Sequence, residues 1–310
     1  MKTINKIIYI LLIGILFAGC SDDEVELKDI VVDYDHVDIL LYGVRMQVTA
    51  LPVPLDATDQ KFEWSSENPE IATVTQFGVV EAVGEGTTQL TVQKGSIKRT
   101  IPVTVTDPIV IPQRKGQWLF NDPANLVKAE TGPDLIMVGS GFASVDGPEN
   151  GKAVQVGVGS YFRLLHGIAP ESGETQVHQY TLQFDFKVPA LGSWYAFYQT
   201  EPANTGDADI FINSGGAIGV GATGYAGKVT IGKWHRLIIS CDLPDFKYYL
   251  DGELINHAQS ARGDRFSLHD YILFLADNDR EDAEMDVSQI AMWTEALDAL
   301  QIMKLGVIEE

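Results

Sequence analysis

Two carboxylates near the C-terminal end come closest, by residue type and spacing, to a catalytic pair. Glu284 and Asp286 lie two positions apart in the stretch that ends at Gln289. Residues two apart on a strand point to the same face, so Glu284, Asp286 and Ser288 would share one face. Hydrolysis of a glycosidic bond needs two carboxyl groups, one acting as acid and the other as base or nucleophile. This stretch is therefore the first candidate for chemistry.

The stretch resembles, in part, the Glu-x-Asp-x-(x)-Glu strand of laminarinase-type glycoside hydrolases. The third carboxylate of that pattern is missing, because Ser288 and Gln289 stand at the two positions where it could occur. No residue is therefore left to act as the proton donor of a two-carboxylate mechanism. The sequence also lacks a Gly-x-Ser-x-Gly elbow, a His-Glu-x-x-His helix and a Gly-x-x-x-x-Gly-Lys-Ser/Thr loop. We expect that the protein is not an enzyme. A degenerate or unrecognised glycoside hydrolase is the third hypothesis, after the two binding functions given at the end of this section.

An acidic run at residues 277–282 offers hard oxygen ligands of the kind that Ca²⁺ prefers. The predicted metal ligands are Asp277, Asp279 and Asp286. The run lacks the glycine and terminal glutamate of an EF-hand loop, and Arg280 interrupts it, so a solvated acidic loop is the alternative. A second, weaker candidate comprises Asp207 and Asp209, near Asn204 and Asn213.

Aromatic side chains beside polar ones are the feature expected of a glycan site. Sugar C–H faces pack on rings, and sugar hydroxyls need planar polar partners. Strand alternation over residues 193–198 would place Trp194 and Tyr198 on one face if Tyr195 and Phe197 pack inside. The predicted ligand contacts are Arg163, His166, Trp194 and Tyr198. Packing in the core is the alternative for each aromatic residue.

The elements that would position these residues are almost all strands. Apolar residues alternate with polar ones from Tyr180 to Val188, which predicts a long strand buried on one face. A single helix is predicted near the end, where Asp298 and Gln301 form a capping box and Gly306 can end the helix. The sequence therefore predicts an all-β protein with one short terminal helix.

Residues 27–107 predict a small β-sandwich, because short runs of period-two alternation recur through them. Trp-Ser-Ser-x-Asn from Trp64, Ile-Ala-Thr-Val at 71–74 and Gly-x-Gly at 84–86 occur there in order. This region resembles the bacterial group 2 immunoglobulin-like domain. The resemblance implies a spacer or adhesive stalk, and Trp64 is expected to be a large core anchor.

Residues 108–115 carry two prolines and predict a stiff linker. Beyond it, residues 116–306 resemble the laminin-G-like branch of concanavalin A-like lectin folds. The resemblance rests on Trp118 to Asp122, Asp146 to Pro148, Gly151 to Val154, Gly232 to Ile238, Tyr248 to Gly252 and Asp286 to Leu297. It implies a jelly roll of two antiparallel sheets with a concave face for ligand, usually without catalysis.

The first twenty residues predict export and lipid attachment. A basic start with Lys2 and Lys6 precedes an apolar run too short to span a membrane. Phe17 to Cys20 resembles the lipobox of bacterial lipoproteins, which implies a signal peptide at 1–19 and an acylated Cys20. Residues 20–26 would form an acidic tether, and Ser21 to Glu24 within it resembles the tag that sends lipoproteins of Bacteroides-like bacteria to the outer face of the outer membrane. A solvated tether is the alternative.

The charge of the chain narrows its partners. Removing the signal peptide takes away two of the 22 basic residues and none of the 43 acidic ones, so the net charge becomes −23. The electrostatic field of this negative charge repels nucleic acid and anionic membrane surfaces. The predicted acyl group on Cys20 is then the only expected contact with a membrane. The leading hypothesis is a non-catalytic surface lipoprotein that binds a glycan. The alternative is a structural or adhesive surface protein that binds a protein partner or companion enzyme.

Overall fold

The computed structural model describes residues 24–43, 45–263 and 265–308. The chain divides into two compact units, Met1–Pro108 and Ile109–Glu310. In these described residues the regular elements are strands, apart from one 3-10 turn and one short helix, so the predicted all-β class is confirmed. The same residues include no helix with the length and apolar character needed to span a membrane.

The described residues of the smaller unit form nine strands, of which the last two are the longest. The strands are β1 (Asp29–Val32), β2 (Val37–Leu40), β3 (Met46–Gln47), β4 (Ala50–Val53), β5 (Glu63–Ser66), β6 (Ala72–Val74), β7 (Val79–Ala82), β8 (Gly86–Lys94) and β9 (Ile97–Thr106). They form sheets in the orders β2-β9-β8-β5, β3-β7-β6 and β1-β4. Alternate residues of β8 and β9 are buried in a common apolar core, as expected for a half-buried strand pair.

The larger unit contains fifteen strands and ends in the helix. The elements are β10 (Gly116–Trp118), β11 (Ile136–Val138), β12 (Phe142–Asp146), β13 (Lys152–Val156), β14 (Tyr161–Leu165), β15 (Gln179–Lys187), β16 (Tyr195–Gln199), β17 (Ile210–Ile212), β18 (Ile218–Val220), β19 (Gly224–Ala226), β20 (His235–Asp242), β21 (Asp245–Leu250), β22 (Glu253–Gln259), β23 (Tyr271–Phe274), β24 (Met285–Trp293) and α1 (Ala299–Leu305).

Two antiparallel sheets form a sandwich in this unit. The eight-stranded sheet has the order β12-β13-β24-β15-β20-β21-β22, with β10 added beside β24, and the seven-stranded sheet has the order β11-β14-β23-β16-β17-β18-β19. One large apolar cluster with residues from both sheets forms the core, which includes Phe184 of β15 and Phe274 of β23 in ring contact. The predicted β-sandwich is confirmed.

Strand β15 is buried on both faces rather than on the one predicted. Tyr180, Leu182, Phe184 and Phe186 join the main core, while the alternate polar side chains are buried on the other face of the sheet. That other face is covered by a small apolar cluster, with members Ile238, Tyr249, Ala291, Trp293, Leu297, Ile302, Ile111 and Leu305.

Helix α1 forms at the predicted place and provides part of this cover. The carboxylate of Asp298 accepts hydrogen bonds from the backbone N–H of Leu300 and of Gln301, both at 2.9 Å. The side chain of Gln301 accepts one from Asp298 N at 3.0 Å, which completes the capping box. Gly306 ends the helix with a φ of +70°.

The segment predicted as a linker, residues 108–115, packs onto the larger unit from Ile109 onward. Ile111 contacts the small apolar cluster, and the indole N–H of Trp293 donates to the carbonyl of Pro112 at 3.1 Å. Most of this segment therefore belongs to the cover of the eight-stranded sheet.

Candidate functional site

The outer face of the seven-stranded sheet carries the candidate site. Cross-strand partners place Ala196, Phe211, Gly219 and Tyr225 in one row across β16 to β19. Directly opposed residues share a face of the sheet, and Tyr225 is 37% exposed, so this row faces outward. Small residues at two of the four positions leave the rings of Phe211 and Tyr225 accessible to a third ring.

Trp194 supplies that ring from the residue that precedes β16. Its ring meets Phe211 edge to face, with centroids 5.7 Å apart, and Tyr225 at 5.8 Å and 69°. These distances lie in the range in which aromatic pairs attract each other. Phe211 is buried, whereas Trp194 and Tyr225 are partly exposed. We call these three residues and the carboxylates described next the Trp194–Tyr225 surface.

Two hydrogen-bond donors at this surface are unused. Neither the indole N–H of Trp194 nor the phenol O–H of Tyr225 has a hydrogen-bond partner in the described part of the chain. By contrast, the indole N–H of Trp118 donates to a backbone carbonyl at 3.1 Å, as buried indoles usually do. The surface thus offers ring faces together with polar groups that a ligand can use.

Fully or partly exposed carboxylates border the two rings. The residues are Asp207, between β16 and β17, and Asp279 and Glu281, between β23 and β24. Burial raises the pKa of Tyr225, and the negative charges of Glu281 and Asp207 raise it further, although Arg265 opposes this. The backbone N–H of Ala283 donates to the carbonyl of Trp194 at 2.9 Å, which fixes the acidic loop beside the indole.

Asp277 organises the acidic loop from within. Its carboxylate accepts backbone hydrogen bonds from Ala208 at 3.0 Å and from Asp279 and Glu281, both at 3.1 Å. Burial would raise the pKa of Asp277, but the hydrogen bonds from Asp279, Ala208 and Glu281 lower it below the ordinary value. One buried carboxylate therefore joins the two loops that carry the exposed ones.

The exposed carboxylates repel one another. A hydrogen bond with Asp277 and its charge raise the pKa of Asp279. Burial raises the pKa of Glu281, and the charges of Asp279, Asp277 and Asp207 raise it further. A ligand that donates hydrogen bonds to these oxygens would relieve this repulsion, whereas an anionic ligand would add to it.

Arg163, a predicted ligand contact, lies on the same outer face. It pairs with Ile136 and with Leu273, outside the core that holds its neighbours in β14. Its guanidinium lies over the ring of Tyr271, 3.7 Å from the centroid. The buried Nε of Arg163 has no partner in the described residues. The structure thus keeps Trp194 and Arg163 on one face of the sheet.

The predictions for Tyr198 and His166 need correction. A β-bulge between Ala196 and Tyr198 shifts the register, so Tyr198 opposes Phe274 and Ile210 in the core and is fully buried. Burial raises its pKa well above the usual value.

His166 is also buried. Its Nε2–H donates to the carbonyl of His269, and its Nδ1 accepts from the backbone N–H of Ile168 at 3.0 Å. Burial lowers the pKa of His166. Neither side chain offers a free surface to a ligand.

The predicted calcium ligands are not gathered into one site. Asp277 and Asp279 belong to the loop after β23, whereas Asp286 lies on β24 in the other sheet and pairs with Lys187 at 3.1 Å. Across residues 24–43, 45–263 and 265–308, no three His, Cys, Asp or Glu side chains are arranged to hold a metal ion. The prediction that these three aspartates act together is therefore corrected.

The two carboxylates of the candidate catalytic pair have different surroundings. Glu284 precedes β24 and is exposed, while Asp286 is on the strand and accepts a hydrogen bond from Gln155 at 3.3 Å in addition to its ion pair. The predicted lipidation site, Cys20, and the signal peptide lie outside the described residues.

Sequence reasoning missed Tyr225 and Glu281 as site residues. Tyr225 stands in a three-residue strand, too short for a periodic pattern, and Glu281 was included only in a calcium hypothesis. The sequence did contain one signal, a short hairpin with Gly219 and Gly224. Because Gly219 has no side chain, it leaves the ring of its partner Tyr225 uncovered.

Residues 28–105 match the family model of the bacterial Ig-like domain (group 2), which confirms the resemblance predicted for the smaller unit. Among curated proteins, the polysaccharide lyase 8 family protein HylA of Enterococcus faecalis (strain ATCC 700802 / V583) is 48% identical over 56 residues. That match covers 17% of this chain and 4% of HylA, so the chain spans a small part of that relative.

Solved structures similar to this chain include domain 4 of AbnA, a GH43 extracellular arabinanase from Geobacillus stearothermophilus, in complex with arabinotriose. Its TM-score is 0.49 at 18% identity, covering 63% of this chain and 98% of that domain. The botulinum neurotoxin serotype D binding domain has a TM-score of 0.46 at 14% identity, covering 62% of this chain and 50% of that one. None of these similarities assigns a ligand or an activity to this chain.

Proposed function

We propose that the larger unit binds carbohydrate through the Trp194–Tyr225 surface. The observation that carries the proposal is the pair of partly exposed rings whose N–H and O–H are unused, beside the carboxylates of Asp207, Asp279 and Glu281. Rings can pack against sugar C–H groups, unused donors can reach sugar oxygens, and carboxylates can accept from sugar hydroxyls. The repulsion among the carboxylates favours a ligand without negative charge.

We further propose that this binding is non-catalytic and takes place outside the cell, with Cys20 as the lipid anchor and the immunoglobulin-like unit as a spacer. The ion pair between Asp286 and Lys187 supports a structural role for this carboxylate. The acidic composition supports a neutral ligand over nucleic acid.

The test is a glycan array followed by calorimetry on the protein from residue 21 onward, which leaves out the predicted signal peptide and Cys20. Tyr225→Ala should weaken binding of the selected saccharide about tenfold, because it removes one ring and one donor. Leu300→Ala is the control, since Leu300 is 48% exposed on helix α1 at the other sheet.

Two results would contradict the proposal. One is that no saccharide binds at millimolar concentration, and the other is that Tyr225→Ala and Leu300→Ala bind equally well. A stoichiometric protein recovered from outer-membrane extract, with no effect of added sugar, would favour the adhesive alternative instead.

A further inference from the structure

The smaller unit has a cleft of its own, with a volume of about 620 Å³. It lies between the β3–β4 segment, the residues that lead into β5, and the turn between β6 and β7. Ligand sites in proteins have volumes of about 300 to 1,000 Å³, so this cleft is large enough for a small ligand. A domain that only separates its neighbours has no need of such a feature.

Three aromatic side chains line the cleft, namely Phe62, Trp64 and Phe77. Phe77 is 74% exposed, although it is a large apolar residue. Single exposed apolar residues are ordinary, but three rings in the lining of one cleft are not. The aromatic side chains therefore point to a ligand with an apolar face.

Trp64, predicted as a large core anchor, packs against the core but also reaches the cleft. It is partly buried and packs at the edge of the core of this unit. Its indole N–H has no hydrogen-bond acceptor in the described residues, whereas those of Trp118 and Trp293 donate to carbonyls at 3.1 Å. Trp64 thus provides both a ring and a free donor at the cleft.

The polar groups of the cleft are mostly neutral amides. Gln47 and Gln60 each donate their side-chain N–H groups to two backbone carbonyls, at distances of 2.7 to 3.1 Å. These bonds fix the amide planes and leave the side-chain oxygens as acceptors. Gln76 adds an amide without a partner in the described residues, and Lys61 is the one charged residue of the lining. No carboxylate lines this cleft, in contrast to the Trp194–Tyr225 surface.

The backbone of the Val48–Thr49 wall of the cleft is already paired, which disfavours an extended peptide on this wall. Val48 N donates to Gly78 O at 2.9 Å, and Thr49 N donates to the carboxylate of Asp33 at 2.8 Å. Thr49 O accepts from Asp33 N at 3.2 Å. A peptide that binds by adding a strand needs unpaired N–H and C=O groups along one edge. Recognition on this wall must instead use side chains, and the cleft offers rings, fixed amides and the free indole N–H.

We propose that this cleft is a second carbohydrate site, which takes a neutral saccharide. Rings fit the C–H face of a sugar, and planar amides fit its hydroxyl groups. The acidic chain repels anionic sugars, and the cleft has only one cation to compensate. The immunoglobulin-like unit is then a ligand-binding module as well as a spacer.

The test uses the protein from residue 21 onward in a Tyr225→Ala background, so that the other surface does not dominate the signal. Calorimetry is carried out with a panel of neutral trisaccharides built from glucose, galactose, mannose, xylose or arabinose, and with trigalacturonate as the anionic comparison. Adding Phe77→Ala should weaken binding of the neutral ligand about tenfold. Adding Val83→Ala, which truncates an apolar residue that is 50% exposed on the same unit but outside the cleft lining, should not.

Trp64→Phe keeps a ring at the position but removes the N–H, so weaker binding by this variant supports the indole as a donor. Circular dichroism of each variant shows that the fold is retained. The proposal is overturned if no neutral trisaccharide binds in the Tyr225→Ala background, if trigalacturonate binds more tightly, or if Phe77→Ala and Val83→Ala behave alike. Self-association that Phe77→Ala abolishes would also overturn it, because a second copy of the chain would then occupy the cleft.

Discussion

The two outer faces of the sandwich in the larger unit begin from similar strand patterns and reach opposite outcomes. On the eight-stranded sheet, the polar residues Thr181, Gln183 and Asp185 point away from the core, yet helix α1 and the segment before β10 bury them. On the seven-stranded sheet, the corresponding face leaves Tyr225 and Ile136 exposed. A covering helix therefore decides which face is structural and which can meet a ligand.

On the covered face, which is the outer face of the eight-stranded sheet under helix α1, the charged side chains bind other groups of the protein. Arg236 forms two hydrogen bonds with the carboxylate of Asp185, at 2.8 and 2.7 Å, and donates to the carbonyls of Leu305 and Gly306 at the end of helix α1. Burial lowers the pKa of Arg114, and the charge of Arg236 lowers it further. The open face, which is the outer face of the seven-stranded sheet, instead leaves the donors of Trp194 and Tyr225 without partners in the described residues, beside carboxylates that a ligand can reach.

The largest expected effect concerns the buried ion pair of the covered face. Asp185→Ala should destabilise the protein by about 3 to 5 kcal/mol, because it leaves the guanidinium of Arg236 buried without its partner. Asp146→Ala removes a partner of Lys152 from an exposed pair and should cost far less, because solvent screens that pair. Urea unfolding measures both, and equal losses would contradict the structural role of the covered face.

The buried carboxyl group of Asp209 should make the stability of the protein fall as pH rises. Burial raises the pKa of Asp209 to about 6, although Thr200 and Arg265 partly offset this. The unfolded chain releases the same proton near pH 4, so between these values the native state binds more protons and stability falls as pH rises. The contribution is complete below about pH 4 and lost above about pH 6, for a total of up to about 3 kcal/mol.

Asp209→Asn should remove this part of the pH dependence, because the amide cannot ionise. Urea unfolding at pH 4, 5, 6 and 7 gives the difference between the two proteins at each pH. The variant should gain stability relative to the parent as pH rises, and a constant difference would show that Asp209 keeps an ordinary pKa.

A smaller effect is expected at the N-terminus of the covering helix. Asp298→Ala removes the acceptor of two backbone hydrogen bonds and should cost about 1 kcal/mol. Asp298→Ser keeps a capping oxygen and should cost less. Thermal unfolding measures the order of the three proteins. If Asp298→Ala exposes the covered face, hydrogen exchange at β15 and β24 should also increase.

The sequence predicted the elements well where the pattern was local. The capping box of Asp298 and Gln301 lies within one turn, and the alternation from Tyr180 to Val188 depends only on the strand period. It could not predict that β15 is buried on both faces, because the cover comes from residues about 70 positions before and 110 after it in the chain.

The site was predicted less well, because its geometry depends on one irregularity and on the pairing of distant strands. Alternation places Trp194 and Tyr198 on one face, but the bulge in β16 turns Tyr198 into the core. The ring that does lie beside Trp194 is that of Tyr225. It is placed there by the pairing of β17 with β18 and of β18 with β19. Likewise, Asp286 is close to Asp277 in sequence but belongs to the other sheet.

The smallest expected effect is a change in the pKa of Glu281 when the neighbouring charge of Asp279 is removed. After burial, the charge of Asp279 is the largest cause that raises the pKa of Glu281. Asp279→Asn should therefore lower the pKa of Glu281, which carbon-detected NMR titration of the side-chain carboxyl groups measures. Asp146→Asn, at an exposed ion pair on β12, is the control and should leave Glu281 unchanged. If Asp279→Asn has no effect, the carboxylates do not act on one another, and the preference of this face for uncharged ligands loses its physical basis.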